Sequence, residues 1–124
     1  MRRYLTVAEI LAFHEILIDQ FGGLKGVRDM VALQSAVGRL QTGYYKDIIE
    51  ESAALMESPV NNHPFLDGNK RISFFATDIF LRMNDRYIDC DNEDAYRFFM
   101  GLFKHKKYKF KELEKWLRKN VKAL

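Results

Sequence analysis

Apolar residues recur along this chain at the three-and-four spacing of helices, broken at intervals by glycine, asparagine and aspartate. Thr6 and Glu9 form a capping box, and Ile10, His14, Leu17, Ile18 and Phe21 follow at helical spacing until Gly22-Gly23 stops the run. Asp29 is placed to cap a second helix with Leu33, Ala36, Val37 and Leu40 inward. Gln41 to Lys46, with Gly43, Tyr44 and Tyr45, reads as a loop. A third helix begins near Asp47 and turns Ile49, Ala53 and Met56 inward; Pro59 predicts its end or a kink, because proline lacks a donor and pushes Ser58 toward an extended backbone. The fourth carries Ile72, Phe75, Ala76, Ile79, Phe80 and Met83 and closes around Asn84-Asp85. Its broad apolar face predicts a central position.

Beyond it, Tyr87 to Cys90 reads as a short extended link. Asn92 is expected to cap a fifth helix with Ala95, Phe98, Phe99 and Leu102 inward, and Phe110, Leu113, Leu117 and Val121 mark a sixth. The predicted fold class is all-α: a bundle of about six helices around a central fourth helix, in a single domain spanning residues 1–124.

Composition narrows the class. The 48% hydrophobic and 30% charged content is that of a soluble globule, and the 14% aromatic share supplies large core side chains. No apolar stretch nears the roughly 18 residues of a membrane span, and Met1-Arg2-Arg3-Tyr4 lacks the apolar run of a signal peptide. With a single cysteine, Cys90, no internal disulfide can form, so a reducing, cytoplasmic location is expected. Nine cations lie between Lys104 and Lys122 against Glu112 and Glu114, which concentrates most of the formal charge of +3 there. Phe110, Leu113 and Leu117 at helical spacing make those lysines the solvated face of a packed helix; an acidic protein suits the patch better than nucleic acid.

Chemistry is densest in His63-Pro64-Phe65-Leu66-Asp67-Gly68-Asn69-Lys70-Arg71, a loop feeding the fourth helix. A helix N-terminus presents free backbone N–H groups and the positive end of the dipole, a setting that binds anions. Gly68 permits close backbone approach and conformations closed to other residues. Lys70 and Arg71 in the first turn oppose the dipole at roughly 0.3–1 kcal/mol each, which an anionic ligand would offset. Asp67 is a hard oxygen donor of the kind Mg²⁺ uses when it bridges to phosphates. His63 is a candidate general base for an incoming hydroxyl. His14 and His105 are expected to be a half-buried packing residue and a solvated one, and Asn61 and Asn62 to bond the loop backbone.

This run resembles the signature of the Fic/Doc superfamily, His-x-Phe-x-Asp/Glu-Gly-Asn-x-Arg leading into a helix, with every signature position filled. The resemblance implies a catalytic base at His63, Mg²⁺ on Asp67, and phosphates of ATP held by Gly68, Asn69 and Arg71. Members that transfer AMP usually carry glycine where this chain has Lys70, and lysine there is similar to the death-on-curing branch. Tyr4-Leu5-Thr6 and Gly26-Val27-Arg28-Asp29 extend that similarity. The branch implies the toxin of a toxin–antitoxin module, a kinase-like enzyme that moves the γ-phosphate of ATP to a hydroxyl of a translation elongation factor, with Lys70 joining the phosphate-binding set. It also implies that the loop at Gln41–Lys46 is a flap aligning the target segment; Tyr44 and Tyr45 are equally placed for packing at its rim. Many superfamily members carry an inhibitory Ser/Thr-x-x-x-Glu-Gly/Asn helix. No serine or threonine here has glutamate four residues on, so inhibition by a separate antitoxin segment is expected. Two alternatives stand beside this reading: a protein AMP or other nucleotide transferase on the same scaffold, and a non-catalytic binding module.

Overall fold

The computed structural model describes residues 1–124. Six helices follow one another: α1 (Val7–Phe21), α2 (Met30–Arg39), α3 (Ile48–Asn62), α4 (Asn69–Met83), α5 (Asn92–Lys104) and α6 (Phe110–Asn120), with strands β1 (Arg86–Ile88) and β2 (Val121–Ala123). The expected all-α bundle is the observed architecture, and α4 lies at its centre. Ile72, Ser73, Thr77, Phe80 and Leu81 on α4 are fully buried, and α3, α1 and β1 pack around them. The core joins Leu33 of α2, Met56 of α3, Phe80 of α4 and Leu113 and Leu117 of α6.

Local chemistry explains the helix starts. The Thr6 side chain accepts from the Glu9 amide at 3.1 Å while Glu9 reaches back to the Thr6 amide at 2.9 Å, completing the capping box. Asp29 and Asp47 accept from the amides of Ala32 and Glu50, each at 3.0 Å, and so cap α2 and α3. Gly22 ends α1 in a left-handed-side conformation with φ 84°.

Polar residues on the buried face of α4 are all satisfied. Ser73 donates to the carbonyl of Met56 and accepts from the buried Tyr108 hydroxyl at 2.6 Å, and Thr77 donates to the Ser73 carbonyl at 2.8 Å. These bonds tie α4 to α3 and to the turn before α6.

Several expectations are corrected. Pro59 does not end α3: the helix continues to Asn62, and the proline is buried. The helix survives because its last turn is held from outside, as described below. Val121 leaves α6 and enters β2, which pairs antiparallel with β1 through Arg86↔Ala123, Tyr87↔Lys122 and Ile88↔Val121. The extended link at Tyr87 is therefore half of a two-stranded sheet. Phe21 is exposed rather than inward, and Asp91, not Asn92, holds the N-cap position of α5, without a side-chain cap bond. His14 is fully buried rather than half-buried.

α6 buries Leu113, Trp116 and Leu117 and turns its lysines outward, while Arg118 pairs with Asp47 at 3.0 Å and Glu114 at 2.8 Å. No helix is long and apolar enough to cross a membrane.

Candidate active site

The segment from Asn62 to Gly68 leaves α3 and enters α4 almost at once, so its backbone groups fall outside both helices. Most of them have a specific partner. Arg28 donates from Nη2 to the Asn62 carbonyl at 2.8 Å and from Nε to the His63 carbonyl at 2.7 Å. The Pro64 carbonyl accepts from the amides of Arg28 and Asp29, and the Leu66 amide donates to the Gly26 carbonyl. Arg28 thus supplies the C-terminal cap that α3 cannot supply itself.

Asn69 completes the turn. Its side chain accepts from the Phe65 amide at 3.1 Å and donates to the Phe65 carbonyl at 2.9 Å, both bonds buried. The Phe65 ring, almost inaccessible, stacks on the His14 ring with centroids 3.7 Å apart. His14 in turn donates from Nε2 to the Asp67 carbonyl at 2.7 Å. A buried histidine on α1 therefore props up the loop from below.

Gly68 begins α4 in the left-handed region, φ 77°. A Cβ there would lie 3.1 Å from Ile18 and 3.3 Å from His14 Nε2. The glycine is required by its backbone conformation and by the close approach of α1 beneath it, and the crowding is on the inner side rather than toward a phosphate.

Above this support lies an open cleft of about 370 Å³ lined by His63, Leu66, Asp67, Gly68, Asn69, Lys70 and Arg71. All six residues singled out in the sequence border it. The amides of Asn69, Lys70 and Arg71 have no acceptor within the protein. They point the positive end of the α4 dipole at the cleft. His63 is exposed, ends α3 in a left-handed conformation (φ 48°, ψ 60°) and donates its own amide to the Pro59 carbonyl. Lys70 Nζ sits 4.3 Å over the Phe103 ring, a cation–π contact that fixes the ammonium on this side of the bundle. Arg71 donates from Nη1 to the carbonyls of Gly22 (2.9 Å) and Leu17 (3.4 Å), capping α1 and leaving its remaining donors unassigned.

Asp67 is the site's acid. Its oxygens accept from the amides of Leu24 at 3.1 Å and Gly68 at 2.8 Å, and these two bonds hold the carboxyl below the usual carboxylate range. Gly23 makes the first bond possible: with φ 121°, any Cβ would come within 2.6 Å of Asp67 Oδ2. No group of three His, Cys, Asp or Glu side chains is arranged to hold a metal ion by itself.

Two positioning residues were not singled out from sequence for this purpose, His14 and Arg28. Each had a legible trace: a histidine at an inward position of an amphipathic helix, and an arginine in the family-like segment before α2.

A helical bundle whose central helix opens on this signature loop is the architecture of a known class, and the chain belongs to the Fic/DOC family, whose model matches residues 4–81. It is 33% identical over 86 residues to "Protein kinase doc" of Escherichia phage P1, across 66% of this chain and 68% of that protein. It is 37% identical over 112 residues to "Toxin Doc" of Mycolicibacterium smegmatis, across 78% of this chain and 84% of that protein.

Asn69→Ala leaves the buried Phe65 amide and carbonyl without partners, each worth about 1–3 kcal/mol. A clear drop in melting temperature is expected, with faster amide exchange at Phe65; unchanged exchange there would contradict the role given to Asn69. Because the Asp67 pKa is depressed in the fold, its stabilising contribution is present above the unfolded carboxylate pKa and is lost as pH falls through the lower folded value. NMR titration is expected to show the Asp67 carboxyl protonating at lower pH than a free aspartate, with loss of protection at the Leu24 and Gly68 amides in the same step.

Proposed function

We propose that this protein is the toxin of a toxin–antitoxin module and a transferase that moves the γ-phosphoryl group of ATP to a hydroxyl of a target protein. The single observation that carries the reading is the cleft at the start of α4, where three unsatisfied amides, an exposed imidazole and a fixed carboxylate converge. The names carried by the two relatives, a protein kinase and a toxin, support it.

In this reading His63 takes the proton of the acceptor hydroxyl. The oxygen then forms a bond to the γ-phosphorus as the bond to the β–γ bridging oxygen breaks, ADP leaves, and the proton stays on the imidazole. The amides of Asn69, Lys70 and Arg71, the Lys70 ammonium and the free donors of Arg71 hold the phosphates. Asn69 contributes through its backbone amide, since its side chain is committed to Phe65, and Gly68 through the turn it allows, since its own amide is bonded to Asp67.

Asp67 fits a magnesium ion. It is ionised and accessible, its bonds to the Leu24 and Gly68 amides fix its orientation, and it is the lone protein carboxylate in the cleft. Mg²⁺ typically takes one or two carboxylates and completes its shell with water and substrate phosphates. When bound it supplies neutralisation of charge on the phosphate oxygens. A translation elongation factor is the target class implied by the branch, and a separate antitoxin the inhibitor; a cytoplasmic location follows from both.

AMP transfer is the second reading, and Lys70 speaks against it. Where AMP-transferring members usually carry glycine, this chain places a cation held over Phe103 at the mouth of the cleft.

ATP labelled separately at the α and γ positions distinguishes the two. Label transferred to protein from the γ position alone is expected; transfer from the α position would replace the kinase reading with nucleotidyl transfer. His63→Ala is expected to lower transfer by about 10²–10⁴-fold and to relieve growth arrest on expression, with the melting temperature unchanged because the side chain is exposed. Retained activity in that variant would remove the base from His63.

A further inference from the structure

A second cavity, of about 430 Å³, opens between the loop at Gln41–Lys46 and the start of α6. Its walls are of two kinds. Aromatic faces come from Tyr44, Tyr45 and Phe110: Tyr44 meets Tyr45 edge-on at 5.1 Å, and Tyr45 stacks on Phe110 at 5.9 Å. Carboxylates come from Glu50 and Glu57, seven residues apart and so on one face of α3.

Those two carboxylates differ from the acids around them. Neighbouring Asp47, Glu51 and Glu114 each pair with an arginine, whereas Glu50 and Glu57 pair with none. Each is half-buried, and each uses one oxygen on a backbone amide: Glu50 on Lys46 at 3.0 Å, Glu57 on Phe110 at 2.8 Å. The second oxygen of each has no partner in the protein. Two half-buried anions without a cation, beside open π faces, make a site complementary to a cationic side chain. The same carboxylates repel phosphate, which separates this cavity from the nucleotide.

Its position relates it to the transfer site. Glu57 precedes His63 by six residues, about 9 Å along the axis of α3 and about 120° apart around it, a path that an extended peptide covers in about three to five residues.

We propose that this cavity receives a lysine or arginine side chain of the acceptor polypeptide, about three to five residues from the hydroxyl presented to His63. The assignment of the occupant rests on the protein-hydroxyl transferase reading above, but binding of the cation does not depend on turnover.

The test uses that difference. Isotopically labelled protein is titrated with N-acetyl-arginine amide and, in parallel, with its neutral isostere N-acetyl-citrulline amide. Saturable shifts at Tyr44, Tyr45 and Phe110 are expected for the arginine compound, with the citrulline compound binding at least about tenfold more weakly, as loss of a charged contact implies. Glu50→Gln combined with Glu57→Gln is expected to erase the difference; glutamine still accepts from the Phe110 amide, and melting confirms the fold. Equal response to both compounds, or none at these residues, overturns the proposal whatever the enzyme's activity.

In the activity arm, threonine peptides with arginine walked along the sequence are modified with ATP and Mg²⁺. The rate is expected to peak with arginine about three to five residues from threonine, roughly tenfold above alanine, and the double variant to flatten that peak. A flat profile with the native protein overturns the proposal. If no peptide is modified while arginine still binds selectively, the cation site stands and the transferase reading is the one that fails.

Discussion

The site depends on the backbone polar groups of residues 62 to 68 finding partners outside the two helices they join. Two helices meet there at a sharp turn, and neither can supply the bonds. Arg28, Asn69 and His14 do so from three different elements, covering the carbonyls of Asn62, His63, Phe65 and Asp67. Of these the Phe65 pair is buried, where an orphaned carbonyl costs about 1–3 kcal/mol, while the bonds from Arg28 lie at the surface. This external bonding also explains how α3 runs past Pro59, whose missing donor would otherwise favour fraying of the last turn.

Electrostatics follow from the same framework. With the loop held below, the first three amides of α4 face outward and concentrate positive potential in the cleft. Lys70 and Arg71 add to it, and each is restrained by a contact that costs no counter-ion: an aromatic face for one, helix-end carbonyls for the other. The acid of the site is held by amides too, so Asp67 remains a carboxylate chiefly through the Leu24 and Gly68 amides, with Arg71 adding a smaller coulombic contribution and no direct ion pair.

Much of this was legible in the sequence, and the reasons for what was not are physical. Helical periodicity located all six helices because each buries one face. Thr6, Asp29 and Asp47 marked three starts through side-chain capping. The signature run marked the cleft, because loop, glycine and charged residues are contiguous in the chain. What escaped was long-range. The pairing of β1 with β2 joins three-residue segments separated by two helices, too short to show alternation. Arg28 and His14 act on carbonyls 34 to 53 residues away, and a carbonyl leaves no mark in the sequence. Pro59 misled because local propensity yields to tertiary bonding.

The loop sorts its residues by direction. Phe65, Asn69 and the crowded side of Gly68 look into the protein, while His63, Lys70 and Arg71 border the opening. Architecture and reactivity are thereby assigned to different positions within nine consecutive residues. Exchanging His63 or Lys70 leaves the bonds beneath the turn in place, whereas exchanging an inward residue, or Arg71 with its hold on the end of α1, disturbs the platform itself. Such a division leaves one scaffold free to diversify its chemistry by single steps.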